Sequence, residues 1–144
     1  MFTGSYFHTM DNKGRVKIPS RYLEIIEEHK DRHITITNWE GYILAFPQTA
    51  WKIFAEELAK KPILDPEYRP IQRLLISGAE ECALDRQGRI LVSQNLRNYA
   101  KLSREVVLVG ALRCFEIWDR STFESHRKNL EESINKTMLH NLLI

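Results

Sequence analysis

One short sequence pattern occurs twice in this chain, and it constrains the fold more than any other feature. Residues 11–21 read DNKGRVKIPSR, and residues 85–95 read DRQGRILVSQN. The Asp, Gly and Arg of the two copies stand at a constant offset of 74 residues (85 − 11), and Gly4 and Gly78 keep the same offset. An internal repeat of this kind predicts that the chain is built from two similar structural units.

Each copy of the pattern predicts a tight turn that leads into a strand. Asp11 and Asp85 suit the first position of such a turn, because a carboxylate can accept hydrogen bonds from backbone N–H groups two or three residues later. Gly14 and Gly88 suit a backbone position with φ above zero, which other residues reach only with strain. The apolar–polar alternation that follows each glycine is typical of a strand. We therefore expect two stiff turns, each holding the next side chain in a fixed place.

Both turns are basic, although the chain as a whole is close to neutral. The net charge of the chain is +2, whereas residues 11–21 have a net charge of +3 and residues 85–97 have +2. Because arginine can bind a phosphate or a guanine edge with two parallel hydrogen bonds, two preset basic turns suggest contact with double-stranded DNA. We predict that Arg15 and Arg89 make most of this contact. The other predicted DNA-binding residues flank them: Lys13, Arg86, Lys17 and Arg21. The alternative is that both turns are purely structural and their arginines are solvated.

The composition is that of a single globular domain. Of the 144 residues, 43% are hydrophobic and 28% are charged. Cys82 and Cys114 lie in apolar stretches without a Cys-x-x-Cys spacing, so we expect buried, reduced thiols. The N-terminus lacks the pattern of a signal peptide, and no apolar run approaches the ~20 residues of a membrane-spanning helix. These features predict a soluble, cytoplasmic protein that makes no membrane contact.

The periodicity of the remaining chain predicts an α+β fold with a mainly β core. In the first half, strands are expected at 2–10, 33–37 and 42–46, and helices at 20–30 and from 49 onward. In the second half, strands are expected at 79–84, 106–109 and 114–118, and helices at 94–102 and from 121 onward. A helix starting at residue 66 and restarting at Pro70 is expected to join the two halves and to end at Gly78.

Helix starts and repeat spacing give four finer expectations. Pro19 suits the first position of its helix, and Ser93 suits the N-cap of the matching helix in the second half. Ser121 and Glu124 match a capping box. The offset between the halves falls to 72 residues at Trp118 (118 − 46), which predicts that the second hairpin is two residues shorter than the first.

These residues also carry a family resemblance. The pattern Asp-x-x-Gly-Arg followed by Val or Ile resembles the loop of the AbrB/SpoVT family of swapped-hairpin DNA-binding domains. Two copies in one chain, together with FTGSY at residues 2–6 and VVLVGALRCFEIW at residues 106–118, are similar to the MraZ family of bacterial transcriptional regulators. The resemblance covers about residues 1–130. Ser93 departs from the proline usual in the second copy.

The resemblance implies both an architecture and a function. The implied fold is a double-psi or swapped-hairpin barrel made of two tandem half-units at 5–47 and 76–119, with a helical connection at 48–75 and a C-terminal helix and tail at 120–144. The implied assembly is a homo-oligomeric ring that binds short direct repeats in a promoter. Members of this family usually repress their own operon in the division and cell-wall gene cluster, which implies a nucleoid-associated location.

Two other classes of function are weighed against this one. An enzyme is disfavoured, because the five histidines lack metal-ligand spacing and no glycine-rich phosphate loop is present. We therefore expect no catalytic residue, no metal and no cofactor. An antitoxin-like or scaffold module that acts through protein contacts is the remaining alternative, since AbrB-type folds occur in antitoxins. Those proteins usually have one copy of the domain and a disordered tail.

Overall fold

The computed structural model describes residues 1–143, and both β-strands and helices are spread along this part of the chain. The strands are β1 (Ser5–Thr9), β2 (Arg15–Lys17), β3 (His33–Trp39), β4 (Tyr42–Pro47), β5 (Glu80–Ala83), β6 (Arg89–Leu91), β7 (Glu105–Gly110) and β8 (Phe115–Asp119). The helices are α1 (Ser20–Glu28), α2 (Gln48–Ala59), α3 (Arg69–Ile71), α4 (Gln94–Tyr99), α5 (Arg120–Ser133) and α6 (Lys136–Leu143), and a π-helical segment (Gln72–Ile76) continues α3. The α+β prediction is confirmed.

The two halves of the chain exchange strands. Six strands form one antiparallel sheet in the order β1-β7-β8-β4-β3-β5. The first strand of the first half, β1, pairs with β7 of the second half, so that Thr9 lies opposite Glu105. In the same way β5 of the second half pairs with β3 of the first, so that Ala83 lies opposite His33. The strands that follow the two turns, β2 and β6, pair with each other as a separate antiparallel ribbon.

One hydrophobic core serves both halves. Val16 and Ile90 point inward from the ribbon, and both are almost completely buried. An aromatic cluster joins the N-terminus, α1 and β8: the ring centroid of Tyr22 lies 5.1 Å from those of Phe2 and Phe115. Residues from the sheet and the helices complete the same cluster: Ile34, Ile36, Ile43, Ile117, Leu108, Ile26 and Leu96. Because the apolar side chains of each half pack on those of the other, neither half has a core of its own.

The opposite face of the sheet is covered by a smaller apolar cluster. Trp118 stacks on Tyr42 with a centroid distance of 4.4 Å, and Phe123 of α5 packs on the edge of the indole ring at 5.5 Å. Phe123 is buried, whereas Leu130 further along α5 and Ile134 just after its end are exposed. The ring of His126, one turn further along, also lies 5.0 Å from that of Trp118, so α5 packs on the sheet through its first two turns.

Asp119, and not Ser121, is the N-cap of α5, so the predicted capping box is wrong. Its side chain accepts hydrogen bonds from the backbone N–H of Thr122 and from the hydroxyl and N–H groups of Ser103. Burial opposes ionisation of the carboxyl group, but these hydrogen bonds outweigh it and lower the pKa of Asp119. Ser93, by contrast, is the N-cap of α4 as predicted, and it accepts the N–H of Leu96. Pro19 lies one residue earlier than predicted, at the N-cap of α1.

The two hairpins have the same length, contrary to the prediction. Asn38 pairs with Ile43 in the first hairpin, and Gly110 pairs with Phe115 in the second, so the same number of residues separates each pair. The difference in spacing arises before the hairpins: α4 has 6 residues against 9 in α1, and the loop that follows α4 has five residues (100–104) against four (29–32) after α1, a net loss of two. The second half has therefore lost most of one helical turn.

The connection between the halves is only partly helical. Residues 66–68 form a turn, and the helix begins at Arg69, near the predicted restart at Pro70. It then widens into the π-helical segment, whose carbonyl groups accept hydrogen bonds from the side chains of Thr37 and Asn38 on β3. Gly78 does not end the helix in a left-handed conformation, since its φ is not positive. A Cβ atom there would lie 2.0 Å from Asn38 Oδ1 and 3.0 Å from the backbone oxygen of Leu74, so a larger residue would displace the Asn38 side chain.

Cys82 and Cys114 are free thiols, as predicted, with Cys82 buried and Cys114 half-buried. Burial raises the pKa of each to about 11. Within residues 1–143, none of the helices has both the length and the apolar character needed to cross a membrane.

Candidate nucleic-acid interface

The two predicted turns have the same hydrogen-bonding scheme. Asp11 Oδ1 accepts the backbone N–H groups of Lys13 at 3.0 Å and of Arg15 at 2.8 Å. In the second copy, Asp85 Oδ1 accepts the N–H groups of Gln87 and Arg89, both at 2.9 Å. The glycines have the expected positive φ, +93° for residue 14 and +74° for residue 88. The turns are therefore closed by their own aspartates, as the sequence predicted.

A glycine-to-alanine change should cost more in the first turn than in the second. Both changes place a side chain at positive φ, which costs about 1–3 kcal/mol. A Cβ atom on Gly14 would also lie 2.7 Å from the backbone oxygen of Val92, whereas on Gly88 its nearest neighbour is the flexible end of Leu23 at 2.7 Å. We expect Gly14→Ala to lower the free energy of unfolding more than Gly88→Ala, as measured by urea denaturation. Equal decreases in the free energy of unfolding of the two variants would show that the backbone of Val92 moves away from the new Cβ atom without cost.

The aspartates also hold the arginines that follow the glycines. Arg15 Nε lies 2.5 Å from Asp11 Oδ2, and Arg89 Nε lies 2.8 Å from Asp85 Oδ2. The hydrogen bond from the Arg15 backbone, together with its side chain, lowers the pKa of Asp11 to about 2, and the equivalent bonds from Arg89 lower the pKa of Asp85. Both carboxylates therefore stay ionised at neutral pH. Within the described chain, the Nη groups of Arg15 have no hydrogen-bonding protein partner.

The ribbon brings the two arginines onto one face of the molecule. Val16 lies directly opposite Ile90 in the β2–β6 pair, and both side chains point into the core. Because side chains alternate along a strand, the residues on either side of this pair point outward. These outward residues are Arg15, Lys17, Arg89 and Leu91. Arg89 Nη1 also reaches to 4.0 Å from Asp11 Oδ2, so the two turns meet across the ribbon.

The other predicted residues belong to the two turns, to β2 and to α1. Lys13 and Arg86 are exposed in the two turns, and Arg21 is exposed in the first turn of α1. The Lys17 ammonium group donates to the backbone oxygen of Gln87 and so spans from β2 to the second turn.

One basic residue that the sequence interpretation missed also belongs to the site. Arg104 precedes β7, and its backbone oxygen accepts the N–H of Met10 at 2.7 Å. Its side chain lines an open depression of about 370 Å³ beside the first turn, together with Arg15, Lys17 and Arg89. Sequence spacing gives no signal for this residue, because only the exchange of strands brings residue 104 next to residue 11.

The described residues contain no group of three or more His, Cys, Asp or Glu side chains placed to hold a metal ion. The face instead presents guanidinium and ammonium groups around two carboxylates, those of Asp11 and Asp85.

The fold and the site together define a class of protein: two half-units that exchange strands, each with a basic turn on one shared face. A family model described as "MraZ protein, putative antitoxin-like" matches residues 1–74 and again residues 75–141. The chain belongs to the MraZ family.

Individual relatives match over most of their length. The transcriptional regulator MraZ of Syntrophobacter fumaroxidans is 38% identical over 137 residues, which cover 95% of this chain and 91% of the relative. That of Carboxydothermus hydrogenoformans is 40% identical over 126 residues, covering 88% and 86%. That of Roseiflexus castenholzii is 43% identical over 119 residues, covering 82% and 80%.

Proposed function

We propose that this chain is a sequence-specific DNA-binding transcriptional regulator, acting as a ring-shaped oligomer on short direct repeats in the promoter of its own operon. By analogy with the family, the operon belongs to the division and cell-wall cluster, the usual outcome is repression, and the protein is associated with the nucleoid. The relatives named above are called transcriptional regulators, which supports this class of function.

One observation about the site carries the proposal. Arg15 and Arg89 come from different half-units, yet both side chains lie on the outer face of a ribbon only three residues long per strand. Each guanidinium is oriented by its own aspartate through Nε. An oriented guanidinium loses less conformational freedom on binding and can contact a phosphate or a guanine edge through its remaining N–H groups. Lys13, Lys17, Arg21 and Arg86 then add charge around the contact.

Exposed apolar surface supports the oligomer. A depression of about 600 Å³ between the N-terminus and α2 is lined by Met1, Ile53 and Leu112, which are all more than half exposed. The apolar residues of α6 are exposed as well: Met138, Leu139, Leu142 and Leu143. Apolar patches of this kind on a small chain commonly mark contacts between subunits. Because one ribbon can contact only a few base pairs, repeated subunits would raise the affinity through effective concentration.

A footprint on the DNA upstream of the chain's own gene tests the proposal. We expect protection of several short repeats with regular spacing, at a protein concentration where a shuffled duplex is unprotected. The mass of the particle in solution, measured by light scattering, should be a multiple of the 17.0 kDa chain. A monomeric mass would contradict the oligomer, and the absence of any protected upstream sequence would contradict the DNA-binding function.

An antitoxin-like or scaffold role is the second candidate, since the family description includes the term antitoxin-like. The exposed apolar residues of α6 would then contact a protein partner. Stable co-purification with such a partner, without any shift of promoter DNA, would favour this role over the regulator.

A further inference from the structure

The two basic turns are related by the repeat, but their surroundings differ. Arg104 and Arg32 occupy the same place in the two halves, because the backbone oxygen of Arg104 accepts the N–H of Met10 and that of Arg32 accepts the N–H of Leu84. Lys17 and Leu91 are likewise equivalent, since each is the third residue after the glycine of its turn. These two pairs allow the two sites to be compared residue by residue.

In the second site the basic side chain is neutralised by the protein itself. Arg32 Nη1 lies 2.9 Å from Glu27 Oε1, and Arg32 Nη2 donates to the backbone oxygen of Asp85 at 3.0 Å. The position equivalent to Lys17 is apolar and 55% exposed in this site, at Leu91. The second site therefore has little unsatisfied positive charge beyond its own turn.

In the first site the equivalent side chain has no acidic partner. Within residues 1–143, no carboxylate lies within 4.0 Å of the Arg104 guanidinium, and the adjacent Glu105 instead lies 3.9 Å from Arg120. The short helix α4, which corresponds to the helix bearing Glu27, has the sequence QNLRNY and contains no acidic residue.

The depression beside the first turn consequently gathers four cationic side chains and one carboxylate. The cations are Arg15, Lys17, Arg89 and Arg104, and the carboxylate is Asp11, which pairs with Arg15, while Arg89 pairs with Asp85 of the second turn. In the described part of the chain, Lys17 and Arg104 are the two cations of this depression without a carboxylate inside 4.0 Å. Like charges brought together in this way repel one another, and a bound anion relieves the repulsion. A phosphate group can accept hydrogen bonds from several guanidinium groups at once.

We propose that this depression is a binding site for a backbone phosphate of DNA, that Arg104 is one of its ligands, and that the equivalent surface around Arg32 is not such a site. The proposal rests on the regulator function proposed above. The two sites then differ in what they bind. The first contacts the sugar–phosphate backbone as well as the groove of the DNA, whereas the second contacts the DNA only through the residues of its basic turn.

Matched substitutions at the two equivalent arginines test this asymmetry. Binding of the full chain would be measured by fluorescence anisotropy over a range of salt concentrations, with the upstream duplex and with a shuffled duplex. Arg104→Gln should weaken binding to both duplexes roughly fivefold at about 0.15 M salt and reduce the salt slope by about 0.9, as expected for one lost phosphate contact. Arg32→Gln should leave the slope unchanged. Arg104→Lys should retain the slope, because the charge remains.

The outcomes separate this proposal from the function on which it rests. Failure of the unsubstituted chain to bind either duplex would contradict the regulator function. Normal binding by the unsubstituted chain, with Arg104→Gln equal to it in affinity and slope, would remove the phosphate site alone. An effect of Arg104→Gln confined to the upstream duplex would indicate a base contact, and an equal effect of Arg32→Gln would contradict the asymmetry.

Two further measurements address the nature of the anion and the integrity of the fold. Inorganic phosphate titrated alone, with the Arg104 side chain followed by NMR, would reveal a site for a free small anion. Binding of that ion together with unchanged DNA affinity in Arg104→Gln would overturn the DNA assignment. Thermal unfolding of each variant should match that of the unsubstituted chain. If Arg104→Lys and Arg104→Gln both lowered the thermal stability and both reduced the salt dependence of DNA binding, the role of Arg104 would be structural instead.

Discussion

Arg15→Ala should weaken binding to the upstream duplex roughly 5- to 150-fold, equivalent to ~1–3 kcal/mol, and should reduce the preference for that duplex over a shuffled one. The reason is that Asp11 holds Arg15 through Nε alone, so the guanidinium is oriented before it binds and its Nη groups keep their hydrogen-bonding capacity. Arg89→Ala should have the smaller effect, because the Arg89 side chain is less exposed, at 27% against 36%, and also approaches Asp11. Both values would come from anisotropy titrations.

Two further variants make this expectation specific. Arg127→Ala removes the same charge from the exposed surface of α5, on the other side of the sheet, and should leave the affinity unchanged. Arg15→Lys keeps the charge but not the planar pair of donors, so it should retain most of the salt slope while losing sequence preference. A folded, fully assembled Arg15→Ala protein that binds with unchanged affinity would exclude Arg15 from the interface.

Phe115→Ala should lower the free energy of unfolding by about 3–5 kcal/mol, which is the range for removing a buried phenylalanine side chain. Phe115 is fully buried and packs against Phe2 and Tyr22, with centroid distances of 5.3 and 5.1 Å. Because this cluster joins the second half of the chain to the first, the loss should appear in a single transition for the whole molecule. Urea denaturation followed by circular dichroism would measure it.

Phe7→Ala is a suitable control for the buried substitution. Phe7 is 53% exposed, and the guanidinium of Arg120 lies over its ring, 4.4 Å from the ring centroid. Such an exposed cation–π contact is worth about 0.5–1 kcal/mol, so Phe7→Ala should lower the free energy of unfolding by no more than about that amount.

A biphasic denaturation curve for Phe115→Ala, with one phase identical to that of the unsubstituted protein, would contradict a core shared by both halves.

The sequence predicted the turns well because their structure is local. The hydrogen bonds of Asp11 reach only two and four residues along the chain, and the positive φ of Gly14 depends on the glycine itself. Ser93 was predicted correctly as an N-cap for the same reason, since its acceptor role involves a backbone group three residues away. The role of Arg15 and its flanking residues in DNA binding stays a prediction, as do the exact limits of the half-units.

The errors arose where residues distant in sequence decide the outcome. Asp119 replaced Ser121 as the cap of α5, because its carboxylate is also fixed by Ser103 on a preceding loop. The loss of residues from α4 was assigned to a hairpin, because the offset of 74 at Arg89 and of 72 at Trp118 is compatible with a shorter helix or a shorter hairpin between them. Arg104 could not be placed in the site at all, since its position depends on the pairing of β1 with β7.

Joining both copies in one polypeptide has a consequence for how the molecule can specialise. A dimer of identical short chains would have to present the same side chains at both symmetry-related positions. Here the equivalent positions are Lys17 and Leu91. Arg32 forms an ion pair with Glu27, whereas its counterpart Arg104 has no carboxylate partner within residues 1–143. Because both copies belong to one chain, a fold with pseudo-twofold symmetry can present different side chains at its two related positions. Such a fold suits a DNA site that is not palindromic.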